Sequence, residues 1–230
     1  MSTLLVVEHE PGCPIDRFER WLAGLDLLVV RPHKGEDVPS SPAGALLVLG
    51  GSMSAHDDDI APWLPATREL MAEAVSTGVP TLGICLGAQL LAVACGGGVE
   101  VGAAPGRECG VVDVRWRAEA ASDLLVAGLQ DPFPGPSLHA DAVTELPAGA
   151  TWLAETDVYA HQAFRVGASA WGVQFHPEVS LPTFRAWAEE LPEVDTDAVT
   201  AELAARDAEV ASAGRSLALR FAQVVAGRRR

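Results

Sequence analysis

The runs Thr3–Val7 (TLLVV), Leu27–Val30 (LLVV), Ala45–Leu49 (ALLVL) and Val79–Ile84 (VPTLGI) are apolar along their length, without alternation between apolar and polar sites. A strand with one wet face alternates; a strand covered on both faces does not. Between these runs, Ile15–Leu25 and Pro65–Ser76 carry helical spacing. Strand and helix in this order predict a three-layer α/β/α fold with a mostly parallel central sheet and right-handed crossovers. Further on, Gly110–Trp116, Thr151–Glu155 and Ala163–Val166 read as short strands added in mixed or antiparallel fashion, and Ala170–Phe175 as one more strand. Leu181–Glu190 reads as a helix with Pro182 in its first turn, where a missing N–H costs nothing. Asp197–Val225 is alanine-rich and amphipathic, one or two helices around Gly214. The expected organisation is one domain over residues 1–190 and a C-terminal helical extension over 191–230, which either caps the domain or makes a homodimer contact.

Charge narrows the partners. A formal net charge of −15 over 230 residues disfavours nucleic acid and anionic membranes, since phosphate affinity needs clustered cations. The single basic run, Arg228-Arg229-Arg230, is expected to be a frayed tail. No stretch reaches the roughly 18 apolar residues of a membrane span. The N-terminal MSTLLVVEHE has no positive segment before its apolar run, so it reads as a first strand and not a secretory signal. Cys13, Cys85, Cys95 and Cys109 show no CxxC pairing, which points to reduced thiols in the cytoplasm and no structural zinc. His9, His33, His56 and His161 are dispersed, and Asp57-Asp58-Asp59 lacks the spacing of a calcium loop, so no metal is expected.

One cysteine stands apart. TLGICLGAQLLA, residues 81–92, places Cys85 between a predicted strand and a predicted helix, flanked by Gly83 and Gly87. A sharp turn there forces unusual backbone angles on the central residue, and glycines on either side remove the side chains that would clash. The helix beginning after Cys85 aims its positive dipole end at the thiol and favours the thiolate. Gln89, four residues on, lies on the same helix face and reaches whatever the sulfur attacks. Taken alone, Cys85 also fits a buried core cysteine.

Two further stretches shift that balance. In GVQFHPEVS, residues 172–180, proline holds His176 extended, so His176 and Glu178 share one side and the carboxylate can hold the imidazole. A base oriented by a third group is what activates a cysteine nucleophile. Gly50-Gly51-Ser52 directly follows the strand Ala45–Leu49, and the Gly51 and Leu86 amides together would make an oxyanion hole. All three stretches sit at carboxyl ends of predicted strands, where α/β folds bind their ligands.

GICLGAQ, GGSMS and GVQFHPEV together resemble the class I (triad-type) glutamine amidotransferases, over about residues 1–190. Within that family the chain is most similar to stand-alone, GMP-synthase-like members, through GGSMSAHDDDIAPWL, SLHADAVTELPAGATWLAET and HQAFRVG. The resemblance implies Cys85 as nucleophile, His176 as base and then acid, and Glu178 as its orienting partner, with no cofactor. It also implies that His139 and Asp141 lie near the glutamyl pocket, in an H-x-D element with Ala140 where the family more often has glycine. Ser52 stands where the family frequently has proline. Arg107, Glu108, Cys109, Gln162 and Arg165 are further candidates to reach the cleft, which nothing in the sequence decides.

Three functions fit. The first is a self-sufficient hydrolase of glutamine or of a γ-glutamyl peptide or amine. The second is a glutaminase subunit supplying ammonia to a separate synthase, since neither a P-loop nor an SGGxDS segment occurs in this sequence. The third is an idle binding protein that kept the fold, against which the complete Cys85/His176/Glu178 set argues.

Overall fold

A computed structural model describes residues 2–227; the Arg228–Arg230 run lies outside them. Five strands form a parallel unit: β1 (Thr3–Val7), β2 (Asp26–Val30), β3 (Ala45–Val48), β4 (Thr81–Ile84) and β11 (Ala170–Val173), in the order β2-β1-β3-β4-β11. The sheet continues from β11 through antiparallel β10 (Ala163–Val166), β9 (Thr151–Glu155), β6 (Glu108–Trp116) and β7 (Phe133–His139) to nine strands. A two-stranded ribbon of β5 (Gly98–Glu100) and β8 (Ala142–Glu145) stands apart.

The unbroken apolar strands β1, β3 and β4 are covered on both faces, whereas β2, at the sheet's edge, is covered only in part and leaves Leu28 exposed. Leu4, Val6 and Leu47 point to one side, packed with Phe18 and Trp21 of α1 (Arg17–Trp21) and with Leu217 and Phe221 of α5 (Thr196–Gly227). Leu5, Val7 and Leu46 point to the other, packed with Leu70 and Met71 of α2 (Leu64–Ser76) and Leu90 and Leu91 of α3 (Leu86–Ala94). At about 25 cal/mol per Å² of apolar surface, each fully buried Leu or Phe contributes roughly 2 kcal/mol. Helix α4 (Leu181–Glu189) buries Phe184 with Val179, beside Leu203 and Val210 of α5. No helix among the described residues is long and apolar enough to cross a membrane.

The structure refines the sequence expectation at several elements. The helix expected over Ile15–Leu25 shortens to Arg17–Trp21. Strand β7 contains Pro134 and Pro136, which hide a strand from a sequence reading because proline cannot donate to a ladder; it is tolerated here because β7 is the sheet's edge and pairs only with β6. Of the one or two helices expected around Gly214, the structure has one, α5, which runs straight through it. Its backbone passes so close to the segment after β11 that a Cβ at Gly214 would stand 2.1 Å from the Pro177 carbonyl oxygen.

Candidate active site

Strand β4 ends at Ile84 and α3 begins at Leu86, leaving Cys85 alone to turn the chain. Its φ of 51° and ψ of −107° are strained for a residue with a side chain. The close packing around this turn fixes the flanking glycines. A Cβ on Gly83 would stand 2.4 Å from the Gly87 carbonyl oxygen, and one on Gly87 would stand 2.1 Å from the Val48 carbonyl oxygen. The Cys85 N–H donates to the Val173 carbonyl (2.8 Å), which locks the turn to β11.

His176 and Glu178 arrive just beyond β11. The His176 N–H donates to the Pro136 carbonyl of β7 (2.7 Å), so the strand hidden by its prolines helps to place this histidine. His176 Nδ1 is 2.7 Å from Glu178 Oε1, and both side chains are buried. Burial opposes charging the imidazole, but the Glu178 carboxylate and the Cys85 sulfur outweigh it and raise the His176 pKa to about 10. The ring is held on its flanks as well. A Cβ on Gly50 would stand 2.9 Å from His176 Cε1 and 3.7 Å from Cys85 Cβ, so only a bare backbone fits there. The Trp187 indole of α4 lies with its centroid 4.6 Å from the imidazole.

Gly51 faces the same pocket. A Cβ there would meet Leu86 Cδ2 at 2.8 Å, so the glycine turn abuts the first residue of α3. Helix geometry leaves the Leu86 amide without an intrahelical acceptor, and the Gly51 amide has no acceptor among the described residues. Ser52, standing where the resemblance expects proline, uses the N–H that a proline would lack: it donates to Glu10 Oε1 (2.8 Å), and its hydroxyl donates to Glu10 Oε2 (2.7 Å).

Cys85, His176, Gly51, Ser52 and Glu10 line one cavity of about 270 Å³, together with Cys13, Gln89, Arg107, Leu138, His139, Asp141, Trp187 and Glu190. The Gln89 amide donates to the Asp141 carbonyl (3.0 Å) and to Gln174 Oε1 (3.2 Å), while Gln174 donates to Cys85 Sγ (3.5 Å). His139 faces oxygen acceptors with both ring nitrogens, the Asp141 carbonyl at 3.0 Å and Glu108 Oε2 at 3.1 Å. Burial pushes the Glu108 carboxyl up, and hydrogen bonds from His139, Thr156 and Gln162 more than offset this and hold it below the usual carboxylate range.

Of the residues singled out by motif, Cys85, His176, Gly51, Gln89, His139 and Asp141 line this cavity, Glu178 reaches it through His176, and Leu86 packs beside Gly51. Of those without a motif, Arg107 lines the mouth and pairs with Glu193, and Glu108 and Gln162 stand behind His139. Arg165 is elsewhere, paired with Asp123, and Cys109 packs with Val111 and Leu138 in the cluster shared with α5. Asp58 pairs with Arg68 and Asp57 accepts from the Ser54 amide, so that acidic run orders its own loop. Sequence reasoning missed Glu10 and Trp187, which carry no motif and meet the site only through the fold, and gave no role to Gln174, although it lies within GVQFHPEV.

Known proteins are similar to this chain in sequence and in fold. The family model for glutamine amidotransferase class-I matches residues 23–188. GMP synthase [glutamine-hydrolyzing] of Xanthomonas oryzae pv. oryzae (strain PXO99A) is 35% identical over 154 residues, 64% of this chain and 27% of that protein. The enzyme of the same name from Porphyromonas gingivalis (strain ATCC 33277) is 41% identical over 102 residues, 44% of this chain and 19% of that one. The chain therefore spans only about a quarter of the length of these curated relatives. Among solved structures, a glutamine amidotransferase from Thermotoga maritima superposes with a TM-score of 0.82 at 26% identity, covering 96% of this chain and 98% of that one. A glutamine amidotransferase from Methylobacillus flagellatus gives 0.85 at 26% identity, covering 97% and 95%. With its α/β fold matching such structures and the family model covering most of its length, the chain belongs to the class I glutamine amidotransferases.

Proposed function

We propose that this protein hydrolyses a γ-glutamyl amide bond, in glutamine or in a γ-glutamyl peptide or amine, through a γ-glutamyl thioester on Cys85. The observation that carries this reading is the buried His176–Glu178 pair, 2.7 Å apart, facing a cysteine held at positive φ in the same cavity. The Cys85 thiolate attacks the γ-carbonyl carbon, and the oxyanion is received by the Gly51 and Leu86 amides, each such donor worth roughly 3 kcal/mol in the transition state. As the C–N bond breaks, imidazolium His176 gives its proton to the leaving nitrogen and ammonia or an amine departs. Water then attacks the thioester, His176 takes its proton, the C–S bond breaks, and glutamate leaves with the thiolate restored. Glu178 keeps His176 oriented throughout. Gln89, His139 and Asp141 form the wall that binds the glutamyl group.

Two observations support a self-sufficient hydrolase. The cavity is lined by the chain's own residues, Trp187, Glu190 and Leu191 among them, and the chain matches the two superposed amidotransferases nearly end to end. The second reading, an ammonia-supplying subunit that works with a separate synthase, draws on the GMP synthases, of which this chain corresponds to about a quarter. Product release from L-glutamine and from γ-glutamyl peptides and amines, with no partner present, separates them. Turnover that is lost in Cys85→Ala and falls less in Glu178→Gln supports the stand-alone hydrolase. Alkylation of Cys85 without turnover supports the subunit. Full turnover by Cys85→Ala removes both.

A further inference from the structure

The site's two halves meet on a segment with no catalytic motif, the loop from Glu8 to Asp16 between β1 and α1. On one side the Glu10 carboxylate receives three donors: the Ser52 N–H (2.8 Å), the Ser52 hydroxyl (2.7 Å) and the Cys13 thiol (3.3 Å). On the other, the Gly12 carbonyl accepts the Trp187 indole N–H (2.6 Å), and the Trp187 ring lies against His176. Gly51, which lines the pocket, is the immediate neighbour of Ser52. Two consecutive glycines have more backbone freedom than any other pair, and rotation of one peptide plane turns an N–H away from the cavity. Packing against His176 and Leu86 restrains Gly50 and Gly51 from one end. At the other end the restraint is Glu10, through two charge-assisted bonds, which are stronger and more directional than neutral ones.

We propose that Glu10 is a positioning residue, whose carboxylate clamps Ser52 by its N–H and hydroxyl and thereby holds the Gly51 amide toward Cys85. This rests on the hydrolase reading above, in which that amide receives the oxyanion. Glu10 also lines the cavity, where a bare negative charge would oppose an oxyanion; its lone pairs are instead spent on Ser52 and Cys13. The clamp needs geometry more than charge. Glutamine at position 10 keeps an acceptor for the Ser52 N–H and an amide that bonds the Ser52 hydroxyl.

The test compares Glu10→Ala, Glu10→Gln and Ser52→Ala with wild type and Cys85→Ala. Turnover is read with L-glutamine and γ-glutamyl p-nitroanilide, Cys85 reactivity with iodoacetamide, and folding by circular dichroism. Iodoacetamide discriminates among the thiols because burial raises the pKa values of Cys13, Cys95 and Cys109. Glu10→Ala is expected to lower kcat about 10- to 100-fold, part of the roughly 10²–10³-fold cost of losing an oxyanion donor outright, with KM little changed. Cys85 alkylation should stay at the wild-type rate, because His176 and Glu178 are untouched. Glu10→Gln should recover most of the lost kcat. Ser52→Ala keeps the N–H bond and should show the same signature more weakly, which carries the test should Glu10→Ala fold poorly.

A wild-type kcat in Glu10→Ala overturns the proposal. So does an alkylation rate that falls in step with kcat, which would place Glu10 on the nucleophile, or a rise in KM alone, which would place it on the substrate. Persistent turnover in Cys85→Ala is a separate failure, that of the hydrolase reading itself.

Discussion

Replacing Gly214 by alanine tests how far the C-terminal helix supports the catalytic segment. In an isolated helix this change is favourable by roughly 1 kcal/mol. Here the new Cβ would stand 2.1 Å from the Pro177 carbonyl oxygen and 3.1 Å from Trp21 Cζ3. An ordinary C···O contact begins at about 3.3 Å, so helix and loop must separate by about 1 Å. Such overpacking costs typically 1–3 kcal/mol, which makes the net change a destabilisation of roughly 0–2 kcal/mol. The effect on activity should be larger. Pro177 lies between His176 and Glu178, and its segment is pinned on one side by the His176 N–H on the Pro136 carbonyl (2.7 Å) and on the other by the Arg17 N–H on the Glu178 carbonyl (3.1 Å) and the Ser180 N–H on Asp16 (2.8 Å). A loop held at both ends yields in its middle, and misplacing a reacting group by about 1 Å costs on the order of 10²-fold. Gly214→Ala should therefore lose 10- to 100-fold in kcat for glutamine hydrolysis while its urea midpoint moves only slightly. A variant about 1 kcal/mol more stable than wild type and equally active would refute this reasoning.

Two further outcomes follow from the geometry. Gly87→Ala places a Cβ 2.1 Å from the backbone oxygen of Val48, which has no freedom to withdraw; turnover should fall by more than about 10²-fold and stability by roughly 1–3 kcal/mol, read by ammonia release and urea unfolding. His9, fully buried with Nδ1 accepting from the Trp63 indole and Nε2 unpartnered, has its pKa lowered by burial, and secondarily by His33, from 6.5 to about 4. The unfolded chain then binds this proton more readily than the folded one, so stability should fall as pH drops from about 6.5 to 4 and level off below. The loss amounts to roughly 3 kcal/mol, and His9→Gln should remove that part of the decline in urea midpoint.

Much of this was legible in the chain itself, for physical reasons. Unbroken apolar runs admit only a doubly covered sheet, and β1, β3 and β4 form one. The flanking glycines of Cys85 announce a turn too tight for side chains, and the overlaps at Gly83 and Gly87 bear that out. His-Pro-Glu brings two side chains to one side because proline keeps the first residue extended, and His176 and Glu178 do meet. What escaped is what depends on partners far along the chain. Pro134 and Pro136 mask β7 because the tolerance of an edge strand for proline exists only once the sheet is built. The sequence left one or two helices open at Gly214 because the close approach to Pro177, 37 residues earlier in sequence, exists only once the chain has folded. Glu10 and Trp187 sit in segments with no catalytic spacing, and their roles arise from contacts across 42 residues to Ser52 and 175 residues to Gly12.

The most direct measurement of the central claim is trapping of the acyl intermediate with hydroxylamine in place of water. Wild-type protein incubated with L-glutamine and hydroxylamine should form γ-glutamyl hydroxamate, and a rapid acid quench should show a glutamyl adduct on the peptide that carries Cys85. Cys85→Ala should form neither product. Hydroxamate formation undiminished in Cys85→Ala, or an adduct on another residue, would contradict the account.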